Sequence, residues 1–430
     1  MAKIFVISLG CPKNLTDTEE MLGFLGEAGH EITPDENAAD AVLLNTCAFI
    51  QSARDEAESE IRRLCKLKRK GIIKRIIVAG CLVQRAGKPL TEKFPEVDSF
   101  LGIGSITKIA QILSRPRHLF GAAPLALSRP QFKIQATAPH SAYLKIADGC
   151  NNRCSYCTIP AIRGPFRSKP SKDVLAEARQ MAKLGVKEIS VIAQDTTSYG
   201  VDLYGKPALL PLLKKLVKIG GVEWVRLMYV YPEQVSAELL NFMAKTPKMC
   251  RYLDMPLQHI ADNILSSMKR RSSEALIREK IALIRKTVPG MAIRTNFIVG
   301  YPGETEKDFE KLEAFVRETE FDNVGVFTYF REKGTSAAQM KKQISAKVKQ
   351  LRAERLVAAQ SSAVDRINRK LKNQEIDILL DTPDSGRSHR DAPDIDGLVE
   401  VISKKPLKPG SIIKVKITGA QGYLRTARAV

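Results

Sequence analysis

The sequence lacks any apolar run that approaches the roughly 20 residues a helix needs to cross a bilayer. Its first residues, MAKIFVISLGCPKN, contain an apolar run too short for a secretory signal and indicate a first β-strand instead. We therefore expect a cytoplasmic protein with no membrane-bound segment. In that reducing compartment the eight cysteines are more often metal ligands or reactive groups than disulfide partners.

Acidic residues are scarce relative to basic ones. The 430 residues include 68 Lys or Arg against 47 Asp or Glu, a formal net charge of +21, and this excess favours a polyanionic partner such as RNA or a ribosome. Hydrophobic residues make up 44% and charged residues 27% of the chain, which is typical of a soluble globular protein rather than a disordered one. The length is sufficient for two or three domains.

A fourth ligand is missing from the densest group of cysteines. The stretch DGCNNRCSYCTIP places Cys150, Cys154 and Cys157 at spacings of four and three, and no second Cys or His pair follows as it would in a zinc ribbon. The five histidines are scattered without metal-ligand spacing. Three thiolates fit a [4Fe–4S] cluster with one iron left open, and a structural zinc site is the alternative.

Three other cysteines each follow a β-branched apolar run: KIFVISLGC ends at Cys11, DAVLLNTC at Cys47 and RIIVAGC at Cys81. The steps of 36 and 34 residues are close to the length of one strand–helix–strand unit. Because the carboxyl ends of parallel strands share one edge of a sheet, these cysteines should converge on a cluster or metal site. The alternative is three buried core cysteines. We expect Cys65 and Cys250 to be inert thiols.

The predicted fold class is α/β with a small β-barrel at the end. Six apolar strands alternate with amphipathic helices after residue 141, which indicates a partial (β/α)6 barrel. Short strands separated by Gly and Pro near the end indicate the small β-barrel. The predicted domains are an open parallel α/β domain over 1–103, a connector over 104–140, the partial barrel over 141–340, a linking helix over 341–365 and the small β-barrel over 366–430.

The cysteine motif GCNNRCSYCTIP and its continuation AIRGPFRSKP resemble the radical S-adenosylmethionine (radical SAM) methylthiotransferases. The stretches LGCPKN, NTCAF and VAGC resemble the amino-terminal domain of that family, and the last domain resembles its TRAM domain. The resemblance implies that the motif cysteines hold a radical-generating [4Fe–4S] cluster that works with S-adenosylmethionine. It also implies that the three strand-end cysteines hold an auxiliary [4Fe–4S] cluster, which carries the sulfur to be inserted.

Within that family, the segments SLGCPKNLTDTE and GRSHRDAPDIDG resemble the RimO type, which modifies an aspartate of small-subunit ribosomal protein twelve. Thr16 stands where the resemblance leads us to expect valine. The resemblance implies an enzyme that replaces a C–H bond with C–S–CH3 at the β-carbon of the aspartate. Two alternatives stay open: a transfer RNA adenosine methylthiotransferase, and a non-catalytic iron–sulfur protein that binds RNA or senses redox state.

The expected partners follow from the resemblance and from the charge distribution. The resemblance implies a monomeric enzyme that acts on ribosomal protein twelve, free or on the ribosome, with contact to ribosomal RNA and a flavodoxin- or ferredoxin-like reductant. Between Leu371 and Glu400, eight acidic residues stand against three basic ones, a net charge of −5. We expect an acidic surface there that attracts a basic ribosomal protein, and a solvated loop is the alternative. The expected members are Asp381, Asp384, Asp391, Asp394 and Asp396.

Four further residues are candidates for contact with S-adenosylmethionine, and two of them, Gln194 and Asp195, can contact the substrate instead. Tyr156 precedes the last motif cysteine, Gln194 and Asp195 follow the second barrel strand, and Gly300 follows the fifth. Two of them also have a structural interpretation. Tyr156 can be an ordinary packing aromatic residue, and Gly300 can belong to the turn into a helix capped near Thr305.

Overall fold

A computed structural model of the protein describes residues 1–121 and 133–430. Contacts divide the chain into two compact units, each of which combines several segments. The amino-terminal unit comprises Met1–Thr137, Lys145–Arg153 and Cys157–Pro170, and the carboxyl-terminal unit comprises Ala138–Leu144, Cys154–Tyr156 and Ser171–Val430. Part of the segment that the sequence predicts as a connector, residues 122–132, lies outside the described residues.

A five-stranded sheet forms the centre of the amino-terminal unit. Its strands are β1 (Lys3–Ser8), β2 (Glu31–Ile32), β3 (Ala41–Thr46), β4 (Arg75–Gly80) and β5 (Ser99–Leu101). They are arranged in the order β2-β1-β3-β4-β5, and all neighbours pair in parallel. All six residues of β3 are buried, because helices cover both faces of such a sheet. The open parallel sheet predicted for this part of the chain is confirmed.

Five helices belong to this sheet: α1 (Pro12–Glu27), α2 (Gln51–Arg69), α3 (Cys81–Ala86), α4 (Pro89–Lys93) and α5 (Ile109–Ser114). Side chains alternate along β3. Val42 and Leu44 pack in the same core as Ile61 of α2, whereas Leu43 packs with Met21 of α1 on the other face. Helix α5 lies within the segment that the sequence predicts as a connector.

Short elements surround the three-cysteine motif: β6 (Ser141–Lys145), β7 (Ala147–Asp148), α6 (Ile159–Arg163) and β8 (Arg167–Ser168). Strands β7 and β8 pair antiparallel, so that residues 149–166 form a closed loop. At the start of this loop Gly149 has a φ of +76°, and a Cβ there would lie 2.1 Å from the carbonyl oxygen of Pro165. Glycine is therefore required at this position.

The carboxyl-terminal unit contains a six-stranded sheet. Its strands after β6 are β9 (Glu188–Ile192), β10 (Trp224–Leu227), β11 (Met249–Asp254), β12 (Ala292–Val299) and β13 (Asn323–Thr328). The sheet order is β13-β12-β11-β10-β9-β6, and the pairs from β9 to β13 are parallel. The partial (β/α)6 barrel predicted from the sequence is confirmed.

Helices alternate with these strands. They are α7 (Ser171–Lys183), α8 (Val201–Tyr204), α9 (Leu209–Leu216), α10 (Ala237–Lys245), α11 (Asp262–Ser267), α12 (Glu274–Thr287), α13 (Glu306–Thr319) and the long α14 (Ala346–Leu371). The hydroxyl of Ser345 caps α14 by accepting from the backbone N–H of Val348. Within residues 1–121 and 133–430, no helix combines the length and the apolar character that crossing a membrane requires.

The chain ends in a closed barrel of β14 (Glu375–Leu380), β15 (Ser385–Ser388), β16 (Leu398–Ile402), β17 (Ile412–Gln421) and β18 (Leu424–Ala429). Alternating apolar residues of these strands fill its interior, among them Ile378, Val399 and Val415. The predicted small β-barrel is confirmed. The sequence does not indicate β15, since SGRS has no apolar alternation.

The segment GRSHRDAPDIDG, residues 386–397, connects the small barrel to the six-stranded sheet within the carboxyl-terminal unit. Glu188 of β9 is fully buried and accepts hydrogen bonds from Arg226 of β10 at 2.7 Å and from Arg387 at 2.5 Å. Burial would raise the pKa of Glu188, but the two arginines lower it to about 2. Arg226 also donates to the backbone carbonyl groups of Ser388 and His389.

The acidic surface predicted for the 371–400 region is wrong for three of its five aspartates, because these form ion pairs within the chain. The pairs are Asp391 with Arg425 (2.8 Å), Asp396 with Arg294 (2.7 Å) and Asp381 with Arg387 (2.8 Å). The other two, Asp384 and Asp394, are exposed. A charge count along the segment does not show which charges pair: Arg294 and Arg425 come from distant strands, and Arg387 lies only six residues after Asp381.

Candidate functional site

The three strand-end cysteines lie at one edge of the amino-terminal sheet. Cys11 precedes α1, Cys47 follows the last residue of β3, and Cys81 is the first residue of α3 directly after β4. Since β1, β3 and β4 are neighbours in a parallel sheet, their carboxyl ends lie side by side. The convergence expected from the sequence is present, and the role of these cysteines as ligands stays a prediction.

A glycine precedes two of these cysteines, and the fold requires both glycines. Gly10 has a φ of +94°, and a Cβ there would lie 2.6 Å from the Cβ of Cys47. Gly80 has a φ of +98°, and a Cβ there would lie 2.2 Å from the side-chain oxygen of Asn45. Both glycines therefore allow the backbone to pass close to a neighbouring strand end, which brings the cysteines together.

Burial and neighbouring charge shift the pKa of two of these thiols, Cys47 and Cys81. Burial raises the pKa of Cys81 to about 12; the Arg163 guanidinium opposes this shift, whereas negative charge on Cys11 and Cys47 adds to it. Burial also raises the pKa of Cys47, and negative charge on Cys11 contributes. Thiolates that interact in this way are stabilised by a positively charged metal group. Cysteine is also the residue type that holds iron–sulfur clusters in proteins, so the chemistry of these three side chains is compatible with such a cluster.

Arg163 belongs to a buried ion network in the amino-terminal unit. Its Nη2 lies 3.5 Å from Sγ of Cys81 and 2.8 Å from Oδ2 of Asp17, and its Nη1 lies 2.9 Å from Oδ2 of Asp148. Burial would raise the pKa of Asp148, but Arg163 and Lys145 lower it to about 2. The network comprises Asp17, Glu20, Lys133, Lys145, Asp148, Arg163 and Lys169.

Two cysteines of the CNNRCSYC motif, Cys150 and Cys157, belong to the amino-terminal unit. The backbone N–H of Cys150 donates to the carbonyl oxygen of Gly164 at 3.2 Å. Sγ of Cys157 accepts from the backbone N–H of Ile159, the first residue of α6, at 3.4 Å. Within the described ranges 1–121 and 133–430, no three Cys, His, Asp or Glu side chains form a group that could hold a metal ion.

The middle of the motif, Cys154–Tyr156, belongs to the carboxyl-terminal unit, where Ser155 holds it in place. The Ser155 hydroxyl donates to the carbonyl oxygen of Ser267 at 2.9 Å and lies 2.7 Å from the Tyr301 hydroxyl. The Ser155 carbonyl accepts from the backbone N–H of Ala337 at 2.9 Å. These contacts fix the position of the middle cysteine relative to the six-stranded sheet.

Arg270 supplies positive charge beside Cys154. Its Nη1 lies 4.0 Å from Sγ of Cys154, and its guanidinium lies over the ring of Tyr231, 4.4 Å from the centroid. Burial would lower the pKa of Arg270, but negative charge on Tyr156, Tyr231 and Cys154 raises it above its ordinary value. Tyr156, a candidate for cofactor contact, therefore lies within electrostatic reach of this arginine.

Gln194 and Asp195 follow β9, as the sequence indicates. The Asp195 carboxylate accepts hydrogen bonds from the backbone N–H groups of Thr197 and Ser198, at 3.1 and 3.2 Å. It thereby caps the turn Thr196–Ser198. The position of Asp195 allows a structural role as well as the predicted contact with the cofactor.

Gly300 follows β12 and has a φ of +70°. A Cβ there would lie 2.3 Å from Cγ of Lys349 on α14. The next helix, α13, begins after Thr305, whose hydroxyl accepts from the backbone N–H of Asp308 while the Asp308 carboxylate accepts in return. The helix cap expected near Thr305 is present, and the contact of Gly300 with S-adenosylmethionine stays a prediction.

Sequence reasoning missed the two arginines beside the cysteines. Arg163 lies within AIRGPFRSKP, which carries the family resemblance, but a single arginine among 68 Lys or Arg has no spacing that identifies its partners. It lies 82 residues from Cys81 along the chain and 146 residues from Asp17. Arg270 has no local signal either, because its partners come from three separate segments.

Three family descriptions match successive parts of the chain. The "Uncharacterized protein family UPF0004" matches residues 3–102, the "Radical SAM superfamily" matches 144–316 and the "TRAM domain" matches 374–430. The second match implies a [4Fe–4S] cluster and S-adenosylmethionine. The three matches correspond in order to the five-stranded sheet, the six-stranded sheet and the closed barrel.

Curated relatives match the chain over its whole length. It is 60% identical over 430 residues to "Ribosomal protein uS12 methylthiotransferase RimO" of Elusimicrobium minutum, covering 100% of both chains. It is 46% identical over 440 residues to the protein of the same name from Pelotomaculum thermopropionicum, covering 100% of this chain and 99% of that one. A solved radical SAM methyltransferase, TsrM of Kitasatospora setae, shares the fold with a TM-score of 0.54 and 15% identity, covering 76% of this chain and 74% of that one. By sequence, this chain belongs to the RimO family of ribosomal protein uS12 methylthiotransferases.

Proposed function

We propose that this protein inserts a methylthio group at the β-carbon of an aspartate of ribosomal protein uS12. The observation that carries the proposal is the set of three thiols at the ends of β1, β3 and β4. In a radical SAM protein, this second set of cysteines is suited to a second cluster. The identity of 60% over the full length with a relative named for this activity supports the choice of substrate.

The motif cysteines Cys150, Cys154 and Cys157 would hold the radical-generating [4Fe–4S] cluster, and three protein ligands leave one iron for S-adenosylmethionine. Once bound, the two cofactors supply a radical able to remove hydrogen from an unactivated carbon. The chain contributes the positions of the ligands. Gly149 permits the tight start of the motif loop, and Ser155 fixes its middle.

The strand-end cysteines Cys11, Cys47 and Cys81 would hold the auxiliary [4Fe–4S] cluster, which supplies the sulfur. They lie partly or fully buried at a sheet edge, so the surrounding protein restricts the access of water to that edge. Burial, together with the adjacent Arg163 guanidinium, gives this cluster an environment different from that of an exposed one.

Further residues of the carboxyl-terminal unit are proposed to bind S-adenosylmethionine. Tyr156 lies within the cysteine motif, and Gln194 follows the end of β9. Asp195 holds the turn after β9, and Gly300 shapes the turn after β12. In barrels of this type, the loops after the carboxyl ends of strands carry the chemistry, which supports these assignments.

The proposed macromolecular partners are uS12, free or on the ribosome, ribosomal RNA and a flavodoxin- or ferredoxin-like reductant. The small barrel presents a basic loop, defined by the exposed residues Lys404, Lys405 and Lys408 between β16 and β17. Positive charge of this kind attracts the phosphates of RNA. The basic loop therefore supports contact with ribosomal RNA while the barrel positions the protein substrate.

Mass spectrometry of uS12 and of transfer RNA from a strain without the gene tests the proposal. We expect the aspartate-containing peptide of uS12 to carry the methylthio group only when the gene is restored, with transfer RNA unchanged. A change confined to transfer RNA would indicate the adenosine-modifying branch. Unchanged uS12 and transfer RNA would indicate the non-catalytic alternative.

Iron analysis tests the assignment of the cysteines. The anaerobically reconstituted protein should hold about eight irons, and replacement of either set of three cysteines by alanine should leave about four. The variant without the strand-end cysteines should still cleave S-adenosylmethionine to 5′-deoxyadenosine but should not insert sulfur. Cys65→Ala with Cys250→Ala is the matched control and should keep about eight, because both thiols are buried in α2 and β11. One zinc without labile sulfide would contradict the assignment.

A further inference from the structure

Arg163 contacts three parts of the amino-terminal unit that are distant in sequence. Its guanidinium donates to Sγ of Cys81 at 3.5 Å, to Oδ2 of Asp17 at 2.8 Å and to both carboxylate oxygens of Asp148 at 3.1 and 2.9 Å. The side chain is 1% exposed. A planar guanidinium can satisfy several acceptors at once in a fixed geometry, which a lysine ammonium cannot reproduce.

The contact with Asp148 continues directly into the cysteine motif. The carboxylate of Asp148 also accepts from the backbone N–H of Gly149 at 2.8 Å. The next residue, Cys150, donates its backbone N–H to the carbonyl oxygen of Gly164, the residue that follows Arg163. Arg163 and its neighbour therefore hold both sides of the peptide segment that begins the motif.

We propose that Arg163 is a positioning residue for both sets of cysteines. It places positive charge at Cys81 of the auxiliary set, and through Asp148 it fixes the segment that presents Cys150 of the motif. The inference rests on the proposed function, in which each set holds a [4Fe–4S] cluster. According to this inference, the properties of both clusters depend on one side chain, that of Arg163.

Charge within hydrogen-bond distance of a cysteine ligand changes the reduction potential of a cluster. Hydrogen bonds to the sulfurs and local net charge are among the properties that set this potential. Reduction adds negative charge, so a nearby cation favours the reduced state. Loss of the Arg163 charge should therefore shift the potential of the auxiliary cluster to more negative values.

Lys145 provides a matched control in the same buried network. Its ammonium group contacts Asp17, Glu20 at 3.7 Å and Asp148 at 4.0 Å, and it is 2% exposed. Lys145→Gln removes the same formal charge as Arg163→Gln from the same surroundings. These contacts of Lys145 are with carboxylates, whereas Arg163 also contacts the thiol of Cys81. Comparison of the two variants therefore separates the effect of charge beside Cys81 from that of a general loss of charge.

The first experiment uses a background in which the three motif cysteines are alanine, so that only the auxiliary cluster remains. Its reduction potential is measured by redox titration with electron paramagnetic resonance for the background, Arg163→Gln, Arg163→Lys and Lys145→Gln. We expect a clear negative shift for Arg163→Gln and a smaller one for Lys145→Gln. Arg163→Lys should retain most of the background potential, because it keeps the charge. If Arg163→Gln folds poorly, the comparison of Arg163→Lys with Lys145→Gln still tests the effect of the charge beside Cys81. Equal potentials for background and Arg163→Gln, or equal shifts for the two glutamine variants, would overturn the inference.

The second experiment uses the reciprocal background, in which the three strand-end cysteines are alanine. Iron loss to a chelator should be faster in Arg163→Gln and Arg163→Lys than in Lys145→Gln. Neither side chain has two guanidinium nitrogens, so neither can contact Asp148 through Nη1 while Nη2 contacts Asp17 and Cys81. Equal rates would show that Arg163 does not serve the motif cluster. A background without about four irons would instead overturn the cysteine assignment of the proposed function, and the inference with it.

Discussion

At Gly149 a single carbon atom determines whether the motif loop can close. A Cβ would lie 2.1 Å from the carbonyl oxygen of Pro165, and the φ of +76° is unfavourable for other residues. We expect Gly149→Ala to lower the free energy of unfolding by about 1–3 kcal/mol. The iron content should fall from about eight to about four, since the loop that presents Cys150 must move. Thermal melting and iron analysis measure the two effects.

The control for this variant is Gly220→Ala. Gly220 has open space around the position of a Cβ, so the substitution should leave both the melting temperature and the iron content close to those of the wild type. A Gly149→Ala protein that keeps its full iron content would show that the loop tolerates the extra atom and that the backbone contact is unimportant for the cluster.

Single residues differ in how well the sequence identifies them. Spacing alone selects the six cysteines, because metal ligands in a loop or at successive strand ends must recur at short or regular intervals. Arg163 cannot be selected in this way. Its role depends on contacts with Cys81 and Asp17, which are brought to it by the folding of separate strands and helices.

At the scale of elements, the segment 386–397 contains a histidine whose titration should affect stability. Burial, together with the charge of Arg226 and against that of Glu188, lowers the pKa of His389 to about 4. The unfolded chain, with an ordinary pKa near 6.5, binds this proton more readily. The free energy of unfolding should therefore fall by up to about 3 kcal/mol as the pH drops from 6.5 to 4.

The single tryptophan of the chain reports on this contact. The ring of Trp224 meets that of His389 edge to face, with centroids 4.3 Å apart. Denaturant unfolding, followed by tryptophan fluorescence at several pH values, measures the effect. His389→Phe keeps an aromatic ring against Trp224 but cannot titrate, so its unfolding free energy should vary less between pH 6.5 and 4. Identical pH dependence in both proteins would contradict the prediction.

The sequence predicts most strands, but it does not predict the contacts that the segment 386–397 makes within the fold. Apolar runs and period-two alternation identify three of the five strands of the first sheet, the six strands of the second sheet and four strands of the small barrel. The sequence does not predict the short strands β2 and β5. Strand β15 has no such signal. The acidic residues of the segment suggest an exposed surface, yet Asp396 pairs with Arg294, which lies 102 residues away along the chain. Composition gives the sign of the charges, and only the fold supplies their partners.

At the scale of the whole molecule, the three family matches follow three patterns in the sequence: parallel strands buried on both faces, regular strand–helix alternation, and short alternating strands. The grouping of residues 145–153 and 157–170 with the amino-terminal unit could not be predicted. It depends on long-range contacts, such as that between Arg163 and Asp17, to which no local pattern corresponds. The exact domain limits proposed from the sequence remain predictions.

Substitutions in the basic loop of Lys404, Lys405 and Lys408 can test whether the enzyme acts on uS12 in the ribosome or on free uS12. If these exposed lysines contact ribosomal RNA, their replacement by glutamine should weaken binding to the small ribosomal subunit. It should also reduce the slope of log affinity against log salt by about two to three. Turnover of ribosome-bound uS12 should fall most at low salt, while turnover of free uS12 should stay the same, since a basic protein is not attracted by lysines.

The matched control replaces three exposed lysines around α9, Lys214, Lys215 and Lys218, which carry the same charge on a different surface and should affect neither slope nor turnover. An equal loss in both triple variants would indicate a general effect of net charge, and an equal loss on free and bound uS12 would show that the basic loop does not contact RNA.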